Sequence, residues 1–143
     1  MNNSDRGLAL FEGTTFRGFA TFEVVDPGNM PTNYTGKLLQ TKTLFIQQFT
    51  TDQNYSSDMR ADRGLLDAVE ARAKALGCTT VAEALDKNHA FSREKSIAER
   101  GEQHDAFGFY EQQGYTTDRN NIWIWQAEGI PPVNCLLYSK ELI

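Results

Sequence analysis

At 143 residues, 40% hydrophobic and 11% aromatic, the chain is long enough to bury one substantial core and reads as a single domain. Its formal net charge of −5 argues against nucleic acid, whose phosphates need a basic face, and suits a cationic amine. No signal peptide and no membrane-length apolar run is evident, and Cys78 and Cys135 lack zinc-like or redox spacing. The expectation is therefore a soluble cytoplasmic protein without a metal site, its two thiols buried on strands and its Asn-x-Ser/Thr triplets at Asn2, Asn33 and Asn54 without consequence.

In chain order, LALFEG and FRGFATFEVV, joined near Gly13 to Phe16, predict a β-hairpin. A long loop, Asp26 to Thr41, leads to the β-rich run LFIQQFTT that begins at Leu44. A polar loop, DQNYSSDMRADRG, then enters the helix LLDAVEARAKALG, where Leu65, Leu66, Val69, Ala73 and Leu76 share one face and Asp67, Glu70 and Lys74 lie outside. Asp62 is its expected N-cap and Gly77 its C′ residue. Glu70 and Lys74 stand in the favourable i, i+4 order, worth roughly 0.3 kcal/mol. The next segment, CTTVAEAL, reads as a strand and completes a β-loop-α-β unit.

The segment Asp86 to Gln103 is an insertion in which Ser92 is placed to cap a short charged helix. It precedes AFGFYEQQGY, Ala106 to Tyr115, an aromatic-rich turn ended by Gly114. Phe107, Phe109 and Tyr110 cannot all face one apolar layer at helical spacing, so one ring is either aimed at a site or packed elsewhere in the core. IWIW, Ile122 to Trp125, lacks strict alternation and reads as a strand with two apolar faces, and CLLYSKEL supplies a last strand.

These pieces, in this order, resemble the GNAT superfamily of acyl-CoA-dependent N-acetyltransferases over most of the chain. The best-matching phrase is A-x-x-x-Y-x-x-x-G-Y, given by Ala106, Tyr110, Gly114 and Tyr115. The run IQQFTTDQNY with LLDAVEARAKALGC matches the family's central strand, pyrophosphate loop and following helix, and CLLYSKEL matches its last strand. The resemblance implies an α+β fold, a mixed and mostly antiparallel sheet with splayed central strands flanked by helices, here lacking the usual N-terminal strand and two helices. It implies acetyl transfer from acetyl-CoA to an amine of a small molecule or protein.

For the donor, the resemblance points to the central strand at Phe49, Thr50 and Thr51 and to a loop reaching from Ser57 through Arg60, Ala61, Asp62, Arg63 and Gly64 to Leu65. The family's loop usually reads Q/R-x-x-G-x-G/A, because backbone N–H groups must approach a diphosphate closely. Here Ser57 to Gly64 reads SDMRADRG and only Gly64 is retained. Arg60 and Arg63 offer charge instead, against the carboxylates of Asp58 and Asp62; the alternative is that both arginines merely solvate a helix start.

Acyl transfer needs a neutral amine, an oxyanion stabiliser and a proton for the thiolate. An amine of pKa about 10.4 costs roughly 4.6 kcal/mol to present neutral at pH 7 without a base or desolvation. In the family a backbone N–H of the central strand polarises the thioester, here near Phe49 or Thr50, and Tyr110 matches the tyrosine that serves as general acid. The carboxylate often found on that strand is replaced by Gln47-Gln48, which cannot take a proton. Glu83, flanked by Val81 and Leu85, is the first substitute, since burial would raise its pKa; His104 and then His89 follow, and a water-mediated base remains open. Two functional readings result: an acyltransferase, or a GNAT-like module that has lost acetyl-CoA use and binds, regulates or takes another donor. The absent N-terminal elements leave sheet surface to be hidden by the Asp26 to Thr41 loop, by the Asp86 to Gln103 insertion or by a subunit partner, and a homodimer is expected.

Overall fold

A computed structural model describes residues 6–51, 60–86 and 110–142. The expected hairpin is present as β1 (Gly7–Glu12) and β2 (Thr15–Val25), joined by the two-residue turn Gly13-Thr14. After β3 (Tyr34–Thr35) come β4 (Thr43–Thr51), α1 (Arg60–Ala75), β5 (Thr80–Asp86), β6 (Thr116–Ala127) and β7 (Ile130–Glu141). The seven strands form one sheet in the order β1-β2-β4-β5-β7-β6-β3. Every pairing is antiparallel except β4 with β5, as a helical crossover between neighbouring strands requires.

The helix periodicity places α1 on one face of the sheet. Leu65, Leu66, Val69 and Ala73 are fully buried there against Ala20, Phe22, Leu44, Ile46, Val81 and Leu136, with Leu76 partly buried beside them. The three larger side chains contribute roughly 6 kcal/mol of apolar burial before entropy is counted. The helix ends in a Schellman motif: Gly77, at φ 79°, donates its N–H to the Lys74 carbonyl, and Cys78 donates to Ala73. Two expectations shift here. Cys78 serves this motif instead of a strand, so β5 begins at Thr80. At its other end α1 already begins at Arg60, which puts Asp62 inside the first turn and not at the N-cap.

A second core lies on the opposite face, built from Val25, Leu39, Phe45, Ala82, Trp123 and Cys135. The loop from Asp26 to Thr41 straps over it. Met30 and Tyr34 pack onto the cluster, Gly28 N–H donates to the Leu39 carbonyl, Gln126 N–H donates to the Asn33 carbonyl, and Thr32 donates from both its backbone N–H and its hydroxyl to the Glu23 carboxylate. This loop is therefore a cover for the sheet, the first of the three the sequence allowed. The two apolar faces of the Ile122 to Trp125 run are also accounted for, since Ile122 packs on the α1 core while Trp123 and Trp125 join the strapped one. Among the described residues no helix is long and apolar enough to cross a membrane, and no group of three or more His, Cys, Asp or Glu is placed to hold a metal ion.

Candidate functional site

The site starts from one irregularity in β4. Along the β2 pairing the register jumps from Phe22↔Ile46 to Thr21↔Gln48, leaving Gln47 as the extra residue of a bulge. Before the bulge, Leu44 and Ile46 face the α1 core and Phe45 faces the strapped core. Strict alternation would send Phe49 after Phe45; the extra residue reverses this, and Phe49 packs on the α1 core instead.

The same point ends the parallel pairing. β4 and β5 run together from Thr43↔Thr80 to Ile46↔Glu83, and no pair continues beyond it. β5 goes on with β7 alone, through Ala84↔Leu137, Leu85↔Leu136 and Asp86↔Cys135. The two central strands thus diverge after Ile46 and Glu83, and from Gln47 onward the β5-facing edge of β4 has no strand partner among the described residues.

Glu83 sits at the divergence. It shares a strand face with Val81 and Leu85, so its carboxyl points toward the α1 core, where the Tyr110 hydroxyl donates a hydrogen bond to it. Burial lifts its pKa from the ordinary 4.5 to about 7, while the bond from Tyr110, which favours the carboxylate, pulls the other way. Tyr110 is only 2% exposed. It lies in a helical turn closed by a second Schellman motif, in which Gly114 (φ 89°) donates to the Glu111 carbonyl and Tyr115 donates to the Tyr110 carbonyl. The Phe49 ring meets Tyr110 edge-on, 6.2 Å between centroids. Tyr110 is thus both a core residue and one aimed at a polar group, the two fates the sequence offered for the rings of that turn.

The other sequence candidates divide into several groups. Thr50 is an exposed residue of β4 paired with Phe19, and Thr51 ends the strand opposite Gly18. Arg60, Ala61 and Asp62 form the first turn of α1, where backbone N–H groups have no partner within the helix. Arg63 follows and is exposed. Gly64 and Leu65 lie past that turn, so their N–H groups belong to the helix ladder; Leu65 is completely buried, and a Cβ at Gly64 would rest 3.8 Å from Leu10 of β1. Ser57, His89 and His104 lie outside the described residues.

Tyr34 was not singled out by sequence. It stands edge-on to Phe45 and is held above the usual phenol range, at about 12, first by burial and then by the nearby Cys135, Glu83 and Glu23. No local pattern marks it, because these neighbours come from four other strands. A depression of about 570 Å³ lined by Arg6, Phe22, Lys42 and Leu76, among others, includes neither Tyr110 nor Glu83.

A carboxyl titrating at about 7 can take or release a proton at neutral pH, and a phenol bonded to it can relay one. The arrangement is suited to proton transfer at the mouth of a gap between two strands.

No protein-family model and no curated protein sequence matches this chain. Solved structures do. The chain is 13% identical to the ribosomal-protein-S18-alanine N-acetyltransferase of Escherichia coli, covering 99% of this chain and 71% of that one with a TM-score of 0.57. An aminoglycoside 6′-N-acetyltransferase complexed with coenzyme A gives 12% identity, 99% and 75% coverage and a TM-score of 0.59. The PaiA N-acetyltransferase of Thermoplasma acidophilum, in complex with coenzyme A, gives 14%, 96%, 62% and 0.53. At these identities the likeness is one of fold: the chain has the fold of the GNAT N-acetyltransferases.

Proposed function

We infer that the protein is an acyl-CoA-dependent N-acyltransferase that moves an acetyl group from acetyl-CoA to an amine of a small molecule or protein. The observation that carries this reading is the Tyr110–Glu83 hydrogen bond at the divergence of β4 and β5. Two of the similar folds were solved with coenzyme A, which supports a donor of that class. The first turn of α1 supplies unpaired N–H groups and the positive end of the helix dipole for a diphosphate, with the exposed Arg63 adding charge.

In this mechanism the amine nitrogen attacks the thioester carbonyl and forms the C–N bond, while the open edge of β4 beyond Gln47 offers backbone N–H to the oxyanion. Ionised Glu83 takes the proton released by the nitrogen. As the C–S bond breaks, the Tyr110 hydroxyl gives its proton to the thiolate, and the proton held by Glu83 passes along their hydrogen bond to restore the phenol. The sum is an amide and free CoA thiol. Glu83 thus stands in for the carboxylate that Gln47-Gln48 cannot supply.

The second reading, a GNAT-like module without acetyl-CoA use, is favoured by the Ser57 to Gly64 run SDMRADRG, which holds a single glycine where close backbone approach to a diphosphate would want more. Fold alone does not decide between them. The deciding experiment is titration with acetyl-CoA followed by thiol release with a panel of primary amines. Donor at about 100 times its Kd should stabilise the fold by about 2.7 kcal/mol. Neither heat nor a melting shift at saturation would hand the case to the second reading. The proposal includes a homodimer: the rings of Phe11 and Phe16, 56% and 51% exposed and in edge contact, are apolar surface the strap does not cover. A strict monomer by light scattering at high micromolar concentration would remove that part.

A further inference from the structure

The residue next to the Tyr110 ring has an anchor of its own. Tyr115 is 2% exposed, and its ring stands edge-on to Tyr110 with centroids 5.1 Å apart. The Schellman motif brings these two together, because it sets the residue after the glycine back against the residue five positions earlier. At its far end, the Tyr115 hydroxyl donates to Glu70 Oε2 of α1 at 2.8 Å. Lys140 of β7 donates to Glu70 Oε1 at 3.3 Å and lies 5.8 Å from the Tyr115 ring centroid. Glu70 therefore engages partners 45 and 70 residues away along the chain, across the space between α1 and the last strand.

We propose that Tyr115, pinned by Glu70 and Lys140, is a positioning residue that holds the Tyr110 phenol on Glu83. The proposal rests on the proton-relay reading of that pair but concerns residues outside it. The anchor is a part-buried, charge-assisted hydrogen bond reaching from a buried ring, so it fixes the Tyr115 ring in place. With that ring on one side and Phe49 on another, the Tyr110 ring is flanked edge-on by two aromatics. The charged and titratable groups around the assembly are Glu70 and Asp67 of α1, Lys140 and Tyr138 of β7, Tyr34 of β3 and Glu83 itself.

The test uses Tyr115→Phe, which keeps the ring and loses the anchor, and Glu70→Gln, which weakens the anchor from the other side. Each should lower kcat about tenfold with little change in the KM for acetyl-CoA, and Tyr115→Phe should add less than about twofold in a Tyr110→Phe background, because both act through one hydroxyl. A second readout needs no substrate. Carboxyl ¹³C NMR should show the Glu83 midpoint rising above its wild-type value in both variants by roughly half a pH unit, as the bond favouring its charged form loosens. Variants that lose melting temperature while the Glu83 midpoint stays in place would make Tyr115 a packing residue and overturn the proposal. If the midpoint moves but no acyl transfer is found with any donor, the positioning role stands and the acyltransferase reading falls. If the wild type transfers acyl groups and Tyr115→Phe alters neither kcat nor midpoint, the positioning role falls alone.

Discussion

Replacing Glu83 by Gln keeps the shape and an acceptor for Tyr110 while removing the titratable carboxyl. A carboxyl raised from 4.5 to about 7 binds its proton more tightly in the folded chain than in the unfolded one. Its contribution to stability is therefore present in full below the unfolded value and is lost as pH rises through the folded one. Integrated between pH 5 and pH 8, the loss is about 2.5 kcal/mol. In the Gln variant that loss is absent, and all other groups cancel when variant and wild type are compared at each pH. Urea unfolding at pH 5 and pH 8 should show the Gln variant gaining about 2.5 kcal/mol on the wild type between the two conditions, a change of roughly 10 °C in relative Tm. Turnover should fall by about 10²-fold or more above pH 7, and the gap should close as pH falls through about 7, because the wild-type rate drops as its base takes up a proton. A stability difference that does not change with pH would show that Glu83 titrates near its ordinary value, and the argument for a base poised at neutrality would fail.

Other outcomes follow from the scaffold. Leu66→Ala, in the α1 core, should cost about 3 kcal/mol by urea unfolding. Gly77→Ala forces an alanine to φ 79° and should cost about 1 kcal/mol by the same measurement, without affecting catalysis. Reversing charge with Arg63→Glu should weaken acetyl-CoA binding by calorimetry, most strongly at low salt, if the start of α1 faces the diphosphate; unchanged affinity would move the donor site elsewhere.

How much of this was legible in the sequence depends on the range of the interactions involved. The buried face of α1 was legible because Leu65, Leu66, Val69 and Ala73 repeat with the helix period, and the Gly77 and Gly114 stops were legible because a positive φ selects glycine. Tyr110 and Glu83 were each nameable, one from a phrase and one from an acidic residue between apolar strand neighbours. Their meeting, 27 residues apart, was not. The bulge at Gln47 was hidden because a register shift belongs to a pair of strands, and Gln47-Gln48 reads the same whether or not one residue is extra. The start of α1 was misplaced by two residues at least, since both Arg60 and Asp62 sit in a polar run where several residues suit a first turn. The Glu70 carboxylate read locally as half of a surface pair with Lys74, while its partners are Tyr115 and Lys140 on distant segments. The strap over the second core was one option among three because loop composition says little about which face a loop covers.

The most direct measurement for the central claim is thiol release from acetyl-CoA by Tyr110→Phe beside the wild type, with an amine the wild type accepts. Phe preserves the ring contacts with Phe49 and Tyr115 and removes only the hydroxyl that reaches Glu83. If the Tyr110 hydroxyl protonates the thiolate, kcat falls by about 10²-fold or more, donor Kd changes little, and stability drops on the order of 1 kcal/mol. A folded variant that turns over at the wild-type rate would contradict it and return Tyr110 to the core alone.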